Sequence, residues 1–228
     1  MNRKKYCIAN WKMNFLYKDI DEYISFFKEF EITNNTNIIL CPSNIYLKHV
    51  IDKMKNNKID ICSQNVSNND FGSFTGEVSC SMLKDIGCNW SIIGHSERRI
   101  YYKESNELIK SKLSVMFKEE MSIILCIGES LEERESGKTN DVLTEQLSIL
   151  SGYENFYNLV IAYEPVWAIG SGKVASENII YKNHVQIRKI LNDLGFEGNK
   201  LSLLYGGSVN EKNANNLAQI DEIDGFLV

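Results

Sequence analysis

The chain has 228 residues, of which 43% are hydrophobic and 24% are charged, and its formal net charge is −5. These proportions are typical of a soluble globular protein with a full apolar core, and the mild negative charge, without a basic patch, argues against a nucleic-acid partner. Residues 1–5 are basic, but the apolar run after them is too short for a signal peptide, and no stretch approaches the roughly 18 apolar residues of a membrane span. We therefore expect a cytoplasmic protein that does not enter a membrane.

Eight short apolar runs alternate along the chain with segments of helical spacing. The runs lack polar alternation, which is typical of strands buried on both faces of a parallel sheet. The predicted strands cover residues 6–9, 38–41, 59–62, 90–94, 122–127, 159–162, 201–204 and 225–228. The predicted helices cover residues 19–30, 45–54, 79–86, 105–118, 140–150 and 176–194, with a short helix before the last strand. Eight β-α units in a chain of this length favour a single closed α/β barrel over residues 1–228.

Unusual polar residues stand where the predicted strands end. They are Asn10 and Lys12 after the first strand, His95 and Glu97 after the fourth, Glu164 after the sixth and Ser208 after the seventh. Taken singly, a lysine is usually a solvated surface charge and a histidine is more often structural than catalytic. Active sites of α/β barrels lie at the carboxyl ends of the strands, so the shared placement of these residues predicts a site there.

The segment after the sixth predicted strand has the features of a catalytic base followed by a movable lid. Glu164 stands where the strand ends, and Pro165 stops the pairing of that strand. Val166 and Trp167 form an apolar arm before the glycine-rich residues 170–172, which can change backbone conformation at low cost. On this stretch alone, a strand end followed by an ordinary surface loop is an equally good interpretation.

A polar stretch of about 14 residues, 64–77, exceeds the usual length of a loop, and loops of this kind are generally functional or disordered. Its Phe71 and Phe74 are easier to explain if a partner buries them. The six cysteines show neither a C-x-x-C pair nor metal-ligand spacing, and four stand in or beside predicted strands. We interpret them as small core residues in a reducing compartment.

At the strand ends the sequence resembles the triosephosphate isomerase family. The matching motifs are long, stand in the family's order and occur at residues 9–14, 94–99, 126–129, 163–173 and 205–209, while 64–77 is similar to the family's dimer loop. The resemblance implies a single parallel (β/α)8 TIM barrel that assembles as a homodimer. It also implies the interconversion of dihydroxyacetone phosphate and D-glyceraldehyde 3-phosphate through an enediolate, a step of glycolysis and gluconeogenesis.

The resemblance assigns a role to each predicted site residue. It implies that Glu164 is the base, that a neutral His95 donates a hydrogen bond to the substrate oxygens, and that Lys12 offsets the developing charge, an arrangement for which this family is itself a well-known example. Glu97 would orient Lys12. The implied substrate-binding residues are Asn10, Lys12, Gly170, Ser208 and Leu227. The implied lid and its latch comprise Pro165, Val166, Trp167, Ala175 and Tyr205, and Thr75 would reach the site of the neighbouring subunit. No metal or organic cofactor is implied, because a carboxylate and neutral donors suffice for proton transfer.

The sequence departs from the family at its end. The family continues after its last strand with a Gly-Gly turn that binds the phosphate and with a final helix, and both would follow Val228. We therefore expect the 228-residue chain to be a truncated form that lacks the final helix, with impaired turnover and marginal stability. Two other interpretations stay open: a catalytically degenerate barrel that serves as a binding or structural subunit, and another phosphate-binding barrel that isomerises a different sugar phosphate.

Overall fold

A computed structural model describes residues 3–28, 36–169 and 175–228 of the chain. Within these ranges eight parallel strands close into a barrel in sequential order, and the last strand pairs with the first. The strands are Lys5–Asn10 (β1), Thr36–Cys41 (β2), Ile59–Ser63 (β3), Trp90–Ile93 (β4), Ser122–Ile127 (β5), Leu159–Tyr163 (β6), Ser202–Tyr205 (β7) and Gly225–Leu227 (β8). The predicted closed parallel barrel is confirmed.

Helices connect the strands and lie around the barrel. They are Tyr17–Lys28 (α1), Leu47–Met54 (α2), Cys80–Asp85 (α3), Ser96–Tyr101 (α4), Asn106–Lys118 (α5), Leu131–Glu135 (α6), Thr139–Ser148 (α7), Glu177–Asp193 (α8) and Ala214–Leu217 (α9), with 3-10 turns at Asn44–Tyr46 and Val166–Ala168. Four helices begin after a serine whose hydroxyl accepts a backbone N–H of the first turn. These serines are Ser79, Ser105, Ser130 and Ser176.

Two helices, α4 and α6, are absent from the sequence prediction. They have six and five residues, too few for a recognisable apolar period. The predicted first helix extended to residue 30, and its last two residues lie outside the described part of the chain. No helix in the described ranges is long and apolar enough to cross a membrane.

The apolar core has two layers. Small and branched side chains such as Ile8, Ile92 and Ala162 fill the inside of the barrel, and a larger layer lies between the strands and the helices. Strand β6 is buried along its whole length, which explains its run of apolar residues without alternation. The interpretation of the cysteines as core residues is wrong for Cys7, which is exposed because it lies on the outward face of β1; the other five are buried, and all six are free.

Arg188 joins the carboxyl-terminal strands to α8. Its buried guanidinium donates to the carbonyl of Leu201 at 3.0 Å and to Asp224 Oδ2 at 2.8 Å. The same carboxylate oxygen accepts the N–H of Leu203 at 2.9 Å. The side chains of Arg188 and Asp224 therefore bring together the beginnings of β7 and β8, where the barrel closes.

His184 is a fully buried titratable group on α8. Its Nδ1 lies 2.8 Å from the carbonyl oxygen of Ile180, and its ring packs edge-on against Tyr163 with centroids 5.7 Å apart. Nε2 makes no hydrogen bond of normal geometry within the described residues, although the imidazole is close to the backbone of Leu204. Burial lowers the pKa of His184 to about 4, so the imidazole is neutral in the folded chain at neutral pH.

The buried imidazole should make the chain sensitive to acid. Between its ordinary pKa of about 6.5 and the folded value, the unfolded chain binds a proton at His184 that the folded chain does not, so the free energy of unfolding falls as pH is lowered through this window. Urea titrations at pH 7 and pH 4.5 should show a loss of up to about 3 kcal/mol from this group. His184→Asn should reduce this loss in the free energy of unfolding, and His49→Asn should retain it. Equal losses in the two variants would contradict the assignment of the acid sensitivity to His184.

Candidate active site

The carboxyl ends of five strands meet around a cavity of about 170 Å³. Six of the predicted site residues line it: Asn10, Lys12, His95, Glu164, Ser208 and Leu227. An adjoining cavity of about 490 Å³ is lined by Glu97 and shares three of these residues with the first. Gly170, the remaining predicted substrate-binding residue, lies outside the described residues.

A buried acid–base pair occupies the floor of the smaller cavity. His95 Nε2 lies 3.0 Å from Glu164 Oε1, and the side chains are 7% and 3% exposed. The second carboxylate oxygen accepts the backbone N–H of Ser96 at 3.0 Å. Glu164, which follows β6, is therefore held by two donors at the end of β4. Ser96 is not among the predicted site residues, because it contributes its backbone N–H and not its side chain.

The turn between β4 and α4 sets the tautomer of His95. Gly94 has φ +69°, a conformation that favours glycine, and it directs the chain from the strand into the helix. His95 is the N-cap of α4, and its Nδ1 accepts the backbone N–H of Glu97 at 3.3 Å. Because Nδ1 accepts, the ring proton of the neutral imidazole is on Nε2, where it can be donated.

The two side chains shift each other's pKa. Burial lowers the pKa of His95, but the charge of Glu164 and its hydrogen bond outweigh burial, so the pKa is raised. Burial raises the pKa of Glu164, but His95 and the Ser96 N–H outweigh it, so the pKa is lowered. Glu164 is thus an ionised carboxylate inside the protein, and the raised pKa of His95 depends on that carboxylate staying beside it.

Lys12 has a strained backbone conformation, with φ +52°. Its N–H donates a hydrogen bond to Asn10 Oδ1 at 3.1 Å. Its carbonyl oxygen accepts two hydrogen bonds, one from the hydroxyl of Ser43 and one from the side-chain amide of Gln64, both at 2.9 Å. A non-glycine residue at positive φ costs on the order of 1–3 kcal/mol, so these three bonds hold a conformation the lysine would not adopt alone. The ammonium lies 2.8 Å from Glu97 Oε1, at the mouth of the cavity.

The first part of the predicted lid is attached to Glu129, a fully buried carboxylate after β5. Its Oε1 accepts the indole N–H of Trp167 at 3.0 Å, and its Oε2 accepts the hydroxyl of Tyr163 at 3.0 Å. The carbonyl of Glu129 accepts the N–H of Val166 at 3.0 Å. Pro165 precedes the 3-10 turn Val166–Ala168, so the lid leaves β6 as a short, well-bonded arm.

Ser208 and Tyr205 contact the two ends of the lid. The N–H and the hydroxyl of Ser208 both donate to the carbonyl of Ala168, at 3.2 and 2.6 Å. The hydroxyl of Tyr205 is buried without a hydrogen bond of normal geometry to the described residues, but it faces the backbone of buried Ala175. A Cβ on Gly207 would lie 2.2 Å from that hydroxyl, so only glycine fits there.

The long loop after β3 is exposed at its tip. Phe71 and Phe74 are 77% and 45% exposed, and Thr75 between that tip and α3 is exposed as well. The loop leaves β3 through Gln64, which also lines the 490 Å³ cavity beside Lys12. Within the described residues, no group of three His, Cys, Asp or Glu side chains could hold a metal ion.

Comparison with known proteins matches the chain to one family. The family model described as triosephosphate isomerase matches residues 5–228. The triosephosphate isomerase of Lawsonia intracellularis is 45% identical over 227 residues, which cover 96% of this chain and 90% of that protein. Those of Colwellia psychrerythraea and Aspergillus oryzae are 41% and 42% identical over 236 aligned residues, covering all of this chain and 92% and 93% of the relatives.

Replacing Glu164 by glutamine should lower the pKa of His95. Without the carboxylate, burial and the Lys12 charge outweigh the remaining effect of Glu97, so the pKa should fall below its ordinary value. NMR titration of the three histidines measures this directly, with the signals of His49 and His184 as internal controls. An unchanged or higher pKa of His95 in the variant would contradict the electrostatic coupling.

Proposed function

Since the chain belongs to the triosephosphate isomerase family and is an isomerase of triose phosphates, we propose that it performs this glycolytic reaction with Glu164, His95 and Lys12 in the cavity at the strand ends. The observation that carries the proposal is the 3.0 Å contact between a buried carboxylate and a buried imidazole beside a lysine ammonium. A base, a neutral hydrogen-bond donor and a fixed positive charge are the groups that proton transfer next to a carbonyl requires.

Glu164 is the base in this mechanism. Its carboxylate leaves His95 and the Ser96 N–H, takes a proton from the carbon next to the substrate carbonyl, and generates an enediolate. The resulting carboxylic acid returns the proton to the neighbouring carbon, while the hydroxyl proton of the enediolate passes to the former carbonyl oxygen beside His95 Nε2; the two transfers together convert ketose into aldose or the reverse. The lowered pKa supports this role, because Glu164 is ionised at neutral pH although it is buried.

His95 is the neutral donor to the substrate oxygens. Its Nδ1 is occupied by the N–H of Glu97, so Nε2 carries the proton that it donates. When Glu164 turns towards the substrate, the charge that raises the pKa of His95 moves away, while burial and the charge of Lys12 continue to lower it. The catalytic movement of the base therefore favours the neutral imidazole.

Lys12 stabilises the negative charge that develops on the oxygens and on the phosphate. Its ammonium is held by Glu97 at 2.8 Å, which orients it without a covalent role for the carboxylate. Asn10 contributes a further polar group to the same wall and fixes the backbone of Lys12. A preorganised cation in a partly dry cavity stabilises such charge more strongly than water does.

The phosphate binds on the Ser208 side of the cavity. We assign it to the backbone N–H groups of Gly170 and Ser208, next to Leu227; the assignment of Gly170 rests on resemblance. Closure of the lid excludes water from the enediolate, which would otherwise lose its phosphate. Glu129 holds the first arm of the lid, and Tyr205 is placed to latch its far end at Ala175.

We further propose that the chain acts as a cytoplasmic homodimer of single-domain subunits. Phe71, Phe74 and Thr75 are exposed at the tip of the long loop, where a monomer would leave aromatic surface in water. The 490 Å³ cavity beside Lys12 is lined by exposed Met13 and Tyr101 and offers a receptor for that tip. A second copy would then complete each active site with its Thr75.

Glu164→Gln should lower kcat for glyceraldehyde 3-phosphate by about 10²–10⁴-fold, because the amide cannot accept the proton. A coupled assay of both reaction directions measures the change. Glu135→Gln, at an exposed position of α6, is the control and should retain full turnover. Comparable turnover of the unaltered chain and Glu164→Gln, or faster turnover of longer sugar phosphates, would contradict the proposal.

Phe74→Glu should dissociate the dimer, because a charge at the loop tip cannot be buried in the apolar part of the receptor. Sedimentation velocity at micromolar concentration should show a monomer, and kcat should fall together with the loss of the partner's Thr75. Phe26→Glu is the matched control, since Phe26 is 67% exposed on α1. A monomeric unaltered chain, or an intact Phe74→Glu dimer, would contradict the assembly.

A further inference from the structure

The residues at the end of β5 contact the backbone of the catalytic base, Glu164, but do not line the substrate cavities. Among the described residues that line the two cavities, none belongs to 126–129. The carbonyl of Ile127 accepts the N–H of Glu164 at 2.7 Å. A Cβ on Gly128 would lie only 1.8 Å from the carbonyl oxygen of Glu164. The backbone of Glu164 is therefore seated directly on the end of β5, and its position depends on how firmly that end is fixed.

Gln146 fixes Gly128 from the side of α7. Its Oε1 accepts the N–H of Gly128 at 2.7 Å, and its Nε2 donates to the carbonyl of the same residue at 3.1 Å. The side-chain amide thus pairs with one peptide group as a neighbouring strand would, beyond the point where β5 ends. Gln146 is only 9% exposed, so water does not compete freely for these bonds.

Arg99 connects the end of β5 to the end of β4. Its guanidinium donates to the carbonyl of Gly94 at 2.8 Å and to the carbonyl of Cys126 at 3.4 Å, and it is steadied by Asn106 Oδ1 at 2.8 Å. A Cβ on Gly94 would lie 3.1 Å from both Arg99 Nη2 and the Cys126 carbonyl, so the three groups are closely packed. Gly94 directly precedes His95, and Cys126 belongs to β5, the strand whose end contacts the backbone of Glu164.

We propose that Arg99 and Gln146 are positioning residues that set the geometry of the Glu164–His95 pair through the ends of β4 and β5. Neither lines the cavities, so both act through backbone groups and not on the substrate. Proton abstraction demands a base placed to a fraction of an ångström, and a misplacement of about 1 Å costs on the order of 10²-fold in rate. The inference rests on the role proposed for Glu164 as the base.

The test replaces each residue by one that keeps its size and loses its hydrogen-bond geometry. Gln146→Met and Arg99→Lys should each lower kcat by about 10–100-fold while KM stays within about twofold, since the base is displaced but the binding groups are not. The kinetic isotope effect for substrate deuterated at the abstracted position should rise, because proton transfer becomes slower than the other steps. Gln186→Met and Arg3→Lys are the controls, at positions away from the site, and should keep full turnover.

A double-mutant cycle separates positioning from general stability. In a Glu164→Asp background the carboxylate is already withdrawn by one methylene, so adding Gln146→Met should lower kcat by less than about threefold further. A purely structural role predicts the same fold-loss in both backgrounds, a lower unfolding temperature and an unchanged isotope effect, and that result would overturn the proposal. If Gln146→Met does not fold, Gln146→Glu tests the same residue, because it retains the acceptor for Gly128 and loses the donor. If Arg99→Lys does not fold, Asn106→Ala tests the same guanidinium, because it removes the acceptor that holds Nη1 and leaves Arg99 in place.

The two proposals fail in different ways. If Glu164→Asp leaves kcat unchanged, Glu164 is not the base and the proposed function is wrong at that residue. If Glu164→Asp is impaired but Gln146→Met and Arg99→Lys both turn over like the unaltered chain, only the positioning role is overturned. Loss of kcat in the positioning variants, coupled to Glu164, supports both.

Discussion

The 3.0 Å contact between His95 Nε2 and Glu164 Oε1 is the interaction on which the site depends. A buried carboxylate without partners would take up a proton, because desolvation penalises its charged form. His95 and the N–H of Ser96 provide the partners, so Glu164 stays ionised inside the protein. The proposed base is thereby kept in its reactive form, and the donors that stabilise it lie beside the cavity in which we propose that the substrate carbonyl binds.

The barrel provides the space for this pair through its backbone. Besides the close approach of Gly128, a Cβ on Gly206 would lie 2.9 Å from Glu164 Cγ, so each strand beside β6 is followed directly by a glycine. The end of β5 and the end of β7 therefore form two walls against which the carboxylate is set. This explains why the architecture of parallel strand ends matters here beyond gathering polar residues at one mouth.

The fold and most of the side chains that line the candidate site were predictable from the sequence, because short unbroken apolar runs such as that before Glu164 mark buried strands and the polar residues follow them directly. Ser43 and Gln64 were not predictable as supports of Lys12, since they bond its backbone carbonyl and stand far from it in the sequence. The same holds for Gln146, whose role depends on the packing of α7 against β5. Local patterns identify which side chains face a site, but backbone groups that meet only on closure of the barrel leave no local signal.

The bonds from Ser208 to the carbonyl of Ala168 have a consequence for the energetics of turnover. The Ser208 N–H that we propose for the phosphate already donates to the carbonyl of Ala168, so a phosphate would exchange one acceptor for another at this donor and gain only the difference between the two hydrogen bonds. The Ala168 carbonyl thus competes with the phosphate for the Ser208 N–H and accepts that donor again when the product leaves. Part of the ground-state affinity for the phosphate is given up at this donor, and the release of product costs correspondingly less free energy.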